Sequence, residues 1–242
     1  MTNLIIDLGN TKQKAAIVSE GKIITRCSTT TLTANTIEEL VGINHIDRCL
    51  LSSVTPIPQA LQTFLQQHYP FKIWNKEDGL SIKNRYLSPT LGSDRLAAVV
   101  GGSFLYPNQN VLVVQFGTCL TFDFINANNE YLGGSIAPGI AMRFKALHSF
   151  TNQLPELYSI VPCNLIGNTT ESSILSGVLN GIIAETQGII AQYSSQYPSL
   201  VVIFSGGDAL YFENNIKINT FAVHKIEDIV MVGLDVIANK LF

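Results

Sequence analysis

The chain has 242 residues, 46% hydrophobic and only 14% charged, with a formal net charge of −3 and a mean hydropathy of +0.25. That length buries a sizeable core, as one large domain or two small ones, and the composition excludes disorder and leaves no basic footprint for nucleic acid. From Met1 the chain moves straight into a short strand carrying Asp7, without the basic start and cleavage site of a signal peptide, and no apolar run reaches the ~20 residues of a membrane span.

Taken in chain order, alternating apolar residues predict strands over Leu4 to Leu8, Lys14 to Ser19 and Lys22 to Ser28, with Glu20 and Gly21 as a turn. Asn35 with Glu38 three residues on resembles a capping box that opens a short helix through Val41. Arg48 to Ser53 reads as a buried strand, and Pro56 and Pro58 precede a helix with Leu61, Phe64, Leu65 and His68 on one face. A short strand at Lys72 to Trp74 and a polar loop from Lys76 to Thr90 lead to a helix from Asp94 to about Phe104, with Ser93 as its N-cap. Pro107 and Asn108 end that helix, so two domains are expected, residues 1–106 and 107–242.

The second half repeats the plan. Strands are predicted at Val111 to Gln115, Leu120 to Ile125 and Tyr131 to Ile136, and a helix opens at Pro138 and Gly139. The longest helix runs from Thr170 to Tyr193, with Asn168 and Glu171 as its cap, and a strand at Leu200 to Phe204 ends in Ser205-Gly206-Gly207 before a final helix from Glu227 to Leu241. Strand meanders followed by helices in both halves indicate a duplicated α/β architecture. Cys27, Cys49, Cys119 and Cys163 form no Cys-x-x-Cys pair, which argues against zinc and a disulfide framework and for a reducing cytoplasm. His45, His68, His148 and His224 have no ligand-like spacing.

Two segments share one design: Asp7-Leu8-Gly9-Asn10-Thr11 after one strand and Gln115-Phe116-Gly117-Thr118 after another. A glycine past a strand permits positive φ and close approach, so that N–H groups and a threonine hydroxyl converge on phosphate. A carboxylate beside such a loop repels phosphate, so Asp7 is assigned to a hydrated Mg²⁺ that bridges phosphate oxygens. Lys12 and Lys14 supply positive charge, although Lys14 alternates with apolar neighbours as a solvent-facing lysine does. In Gly92-Ser93-Asp94-Arg95, Asp94 falls in a first helical turn, where the macrodipole favours an anion by ~0.3–1 kcal/mol, and Arg95 is able to grip a carboxylate. An ionised Asp94 is also a candidate proton acceptor for a substrate hydroxyl.

These residues, with Ser52-Ser-Val-Thr-Pro, Tyr86, Thr121 with Asp123, Gly133-Gly-Ser-Ile-Ala-Pro-Gly, Leu154-Pro and Gly167-Asn-Thr-Thr, make the chain resemble the type III pantothenate kinases over essentially its whole length. The resemblance implies two actin-like domains of the sugar-kinase, actin and heat-shock-chaperone superfamily with a cleft between them. It implies ATP-dependent phosphorylation of pantothenate to 4′-phosphopantothenate, the entry to coenzyme A synthesis. It places ATP on Asp7, Leu8, Gly9, Asn10, Thr11, Lys12, Gln13, Lys14 and Thr118, and makes Asp94 the proton acceptor. It lines the pantothenate site with Tyr86, Gly92, Ser93, Asp94, Arg95 and Thr170, and it implies Mg²⁺, potassium or ammonium, and a homodimer.

Gln115 departs from the family's pattern, which has an aspartate there for the monovalent cation; the amide keeps a carbonyl oxygen and loses the charge, so weakened or absent potassium dependence is expected. Ser205 replaces the usual threonine and keeps its hydroxyl. Two other readings stay open. One is a catalytically impaired paralogue that binds nucleotide or pantothenate in an accessory or regulatory role, and the other is a kinase of a different hydroxylated acid.

Overall fold

Five strands open the computed structural model, which describes residues 1–19, 21–216 and 223–242. They are β1 (Thr2–Leu8), β2 (Gln13–Ser19), β3 (Lys22–Thr29), β4 (Arg48–Ser53) and β5 (Phe71–Ile73), in sheet order β3-β2-β1-β4-β5. The first three form an antiparallel meander, whereas β1, β4 and β5 run parallel. Glu20 lies outside the described residues, and Gly21 takes a φ of +74°, as its turn requires. Between the parallel strands run α1 (Ala34–Val41) and α2 (Gln59–His68). Their Ile37, Val41, Leu61 and Leu65 meet Leu4, Ile6, Leu8 and Leu51 in one core. His68 stays exposed, its Nδ1 against the Phe64 carbonyl.

The α1 cap differs from expectation. Thr33, not Asn35, is the N-cap, and its hydroxyl accepts from Thr36 N. The chain enters the helix two residues earlier because Thr33 has the extended backbone a cap needs, while Asn35 is already helical. The polar loop likewise holds a two-residue strand, β6 (Lys83–Asn84).

Helix α3 (Ser93–Leu105) follows, then β7 (Val111–Phe116), β8 (Cys119–Ile125), β9 (Glu130–Pro138), α4 (Ile140–Ser149), α5 (Thr170–Gln196), β10 (Val201–Ser205), α6 (Ala209–Asn215), β11 (Val223–Lys225) and α7 (Ile229–Leu241). The second sheet has the order β11-β10-β7-β8-β9-β6. Neither α6 nor β11 is legible in the sequence pattern, since both are short. In the second core Leu112, Val114, Leu120, Phe122 and Phe124 pack with Ile174, Val178, Ile182 and Ile190 of α5. Helix α5 is long and apolar enough to cross a membrane by length and composition, with a mean hydropathy of 1.4. It escapes a search for continuous apolar runs because Ser, Thr, Asn and Gln interrupt it, and its buried apolar stripe marks it as a core helix of the second unit.

The chain divides into two units: Met1–Asn108, Ile125–Gly133 and Asp228–Phe242 in the first, Gln109–Phe124 and Gly134–Glu227 in the second. A single boundary after residue 106 therefore captures only the first crossing. The reason is α7, which packs on α3, β1 and β4. A Cβ on Gly233 would stand 1.8 Å from the Ala97 carbonyl oxygen, and one on Gly101 would stand 2.6 Å from that of Ile229, so the two helices touch backbone to backbone.

Candidate functional site

In the first unit, Asp7 is the penultimate residue of β1, beside Ser52 on the parallel strand β4 and opposite Lys14 on β2. Its carboxylate is 9% exposed, and Oδ1 has no hydrogen-bond partner among the described residues. Burial, with Asp94 and Asp228 adding their charge against the opposing Lys14, pushes its pKa up to about 7. Lys14 Nζ lies 2.8 Å from Asp228 Oδ1, and Arg26 on β3 takes the other oxygen. Burial works against the charge of Asp228, but the hydrogen bonds and charges of Lys14 and Arg26 outweigh it and hold this carboxyl below its ordinary range.

The start of α3 supplies the next group. Gly92, not Ser93, is the N-cap, with extended backbone and no side-chain cap. Ser93 is instead buried, its hydroxyl accepting from Ser52 at 3.1 Å. Asp94 is half-buried and its Oδ1 accepts from the Arg95 backbone N–H at 2.9 Å. A Cβ at position 92 would meet that oxygen at 2.4 Å, so glycine leaves room for the Asp94 carboxylate. Arg95 is 5% exposed, with its guanidinium 5.5 Å from the Tyr86 ring centre. Tyr86 is also stacked on the buried Tyr131, with ring centres 6.0 Å apart.

The rest of the segment expected to hold ATP divides by burial. Asn10, Thr11 and Lys12 are exposed at the turn tip, which Gly9 N closes by donating to Lys12 O at 3.1 Å. Leu8 is fully buried in the first core, so only its backbone is available to a nucleotide. Gln13 spends its carbonyl oxygen accepting from Leu32 N at 2.6 Å. Neither Gly9 nor Gly117 has positive φ, contrary to expectation. What Gly9 provides is clearance, since a Cβ there would stand 2.8 Å from Lys12 O.

In the second unit Thr118 is exposed at the β7–β8 turn, and Gln115 is half-buried beside Ser205 in the β7–β10 register. Gly139 donates to Thr118 O at 3.1 Å, and a Cβ on it would stand 2.1 Å from Gly117 O. From another side Gly206, at φ +99°, approaches so closely that a Cβ would stand 2.3 Å from Phe116 O. Thr170 is the exposed first residue of α5. Its cap is Thr169 with Ser172 in a reciprocal capping box, not Asn168 with Glu171.

The structure thus brings Asp7, Lys14, Tyr86, Gly92, Ser93, Asp94 and Arg95 into the first unit, and Gln115, Thr118 and Thr170 into the second. Sequence reasoning missed Asp228 and the Ser52 hydroxyl as site partners. An acid just before an apolar helix was the single signal for Asp228, and such acids are common without any function.

A family model described as type III pantothenate kinase matches residues 3–192. A type III pantothenate kinase of Christiangramia forsetii is 39% identical over 225 residues, which cover 91% of this chain and 92% of that protein. One from Cytophaga hutchinsonii is 38% identical over 240 residues, 98% of each. Among solved structures, a Baf family protein from Campylobacter jejuni aligns with a TM-score of 0.61 at 21% identity, over 98% of this chain and 97% of that one. A ROK family protein from Streptococcus pneumoniae gives 0.52 at 11% identity, over 100% and 98%. The structures speak for the fold alone, a two-sheet α/β architecture shared along nearly the whole chain. Sequence similarity along most of its length shows that the chain belongs to the type III pantothenate kinase family.

Proposed function

We propose that this enzyme transfers the terminal phosphoryl group of ATP in line to the terminal hydroxyl of pantothenate, with Asp94 as proton acceptor. As a type III pantothenate kinase it acts in coenzyme A biosynthesis. The observation that carries the mechanism is the half-buried Asp94 carboxylate, fixed by the Arg95 N–H in the space that Gly92 leaves open. Phosphoryl transfer asks the protein for positioning and charge neutralisation more than for bond-making, so Asp94 orients the hydroxyl for attack and takes its proton as the new bond forms. Arg95, backed by Tyr86, faces the pantothenate carboxylate in this reading. Asp94→Asn should lower kcat about 10²- to 10⁴-fold with little change in KM for ATP. A variant that keeps more than a tenth of the wild-type kcat sinks the role.

Asp7 fits Mg²⁺, because a buried carboxylate oxygen without a partner is the feature a hard cation satisfies. Among the described residues no group of three His, Cys, Asp or Glu side chains forms a metal cage. That suits Mg²⁺, which keeps waters and shares its shell with substrate phosphates. When bound, it supplies neutralisation of the polyphosphate charge. The exposed Gly9–Lys12 turn supplies the ATP contacts of the first unit in this reading, while Lys14 is held by Asp228.

The monovalent cation fits poorly, since Gln115 and its neighbour Ser205 offer neutral oxygens only. Weak or absent potassium dependence follows, and the same residue supports the second reading, an impaired accessory paralogue. Gln115→Asp separates the two: a large rise from near-zero activity favours impairment, and little change favours a native site that works without the charge. A homodimer is supported by the exposed Phe150, Tyr158, Leu165 and Ile166 of the second unit. Light scattering on the purified chain tests it.

A further inference from the structure

Lys14 stands directly opposite Asp7 in the β1–β2 register, where side chains on one face of an antiparallel pair come closest. An ammonium in that place is the natural partner of the carboxylate across from it. Its hydrogen bond goes elsewhere, to Asp228 Oδ1 at 2.8 Å, while Asp7 Oδ1 has no partner among the described residues. The acceptor is well anchored. Asp228 is 8% exposed, it immediately precedes α7, and its second oxygen is taken by Arg26. The backbone contact at Gly101 and Gly233 fixes α7 itself on α3. The carboxylate therefore holds its place and the flexible lysine comes to it.

We propose that Asp228 is a positioning residue that draws Lys14 away from Asp7 and so keeps the Asp7 carboxylate open to a divalent cation. Removing the charge of Asp228 frees Lys14 to pair with the Asp7 carboxylate opposite it in the register, and in a buried setting that pair competes directly with the metal. The proposal rests on the reading of Asp7 as the residue that holds Mg²⁺.

The test uses Mn²⁺ as a paramagnetic probe, titrated into the full chain with a non-hydrolysable ATP analogue and read by electron paramagnetic resonance. Asp228→Asn should weaken Mn²⁺ binding about tenfold. Adding Lys14→Gln to it should bring the affinity back to within about threefold of wild type, as should the charge-keeping Asp228→Glu alone. Wild-type affinity in Asp228→Asn, or a double variant as weak as the single one, overturns the proposal. Should Asp228→Asn melt below the assay temperature, the double variant carries the test, because it removes both charges together. Asp7→Asn is the reference. If it binds Mn²⁺ normally, the reading of Asp7 falls and the proposal with it; if it loses Mn²⁺ while Asp228→Asn keeps it, the role of Asp228 alone falls.

Discussion

The β1–β2 and β7–β8 hairpins share a strand, a glycine and a threonine, yet they solve different problems. The first has a turn closed by Gly9 N to Lys12 O, with an exposed tip and charge at its base in Asp7 and Lys14. The second is tighter, closed by Gly117 N to Cys119 O, and the backbones of Gly139 and Gly206 press on it. Its base carries neutral Gln115 and Ser205. Backbone geometry and charge are thus separable parts of such a hairpin: the first carries both, and the second keeps the geometry under tighter steric control.

Breaking the charge of the first hairpin should give the largest effect. Asp7→Asn is expected to lower kcat/KM about 10³-fold or more, measured by coupled assay at saturating Mg²⁺. The same substitution should stabilise the ligand-free protein, by an amount that grows with pH. The carboxyl titrates at an ordinary 3.8 when unfolded and at about 7 when folded, so the folded state holds the proton longer. Stability from this group falls as pH rises through that window, and Asp7→Asn should gain more at pH 8 than at pH 4, by up to about 4 kcal/mol at 1.36 kcal/mol per unit. Equal gains at both pH values in urea melts would contradict the buried, strained carboxylate.

The steric grip on the second hairpin comes next. Gly139→Ala drives a methyl into the Gly117 carbonyl and should cost about 2–4 kcal/mol, visible as a lower melting temperature. Restoring charge there, Gln115→Asp, should create potassium activation of about tenfold in kcat/KM, the scale of one added carboxylate on a cation site. A wild-type enzyme with a strong, saturable potassium requirement would remove the distinction between the hairpins. The smallest effect belongs to Gly117→Ala. An added Cβ would lie 3.8 Å from Cys119 O, an ordinary contact, so its stability should stay within about 0.5 kcal/mol of wild type.

Strands and the long helix were legible because their periodicity is local: Arg48–Ser53 appears as predicted, and α5 differs only at its C-terminal end. Caps were not. Thr33, Gly92 and Thr169 take the cap positions expected of Asn35, Ser93 and Asn168, because a cap is chosen by where the chain bends into the helix, and several adjacent polar residues suit it equally. The candidate roles of Asp7 and Asp94 rest on residues close together in sequence. Ser52 with Ser93 and Lys14 with Asp228 were not legible, since each pair joins segments that only the fold brings together.

Helix α7 has a consequence for synthesis. Residues 228–242 complete the unit that begins at Met1, covering β1, β4 and α3 with Ile229, Leu234 and Ile237 and giving the buried Asn3 its partner in Asp235. A nascent chain therefore makes β1 about two hundred residues before the helix that covers it. During that interval the first sheet exposes an apolar face, so chaperones should engage the nascent chain until α7 has emerged.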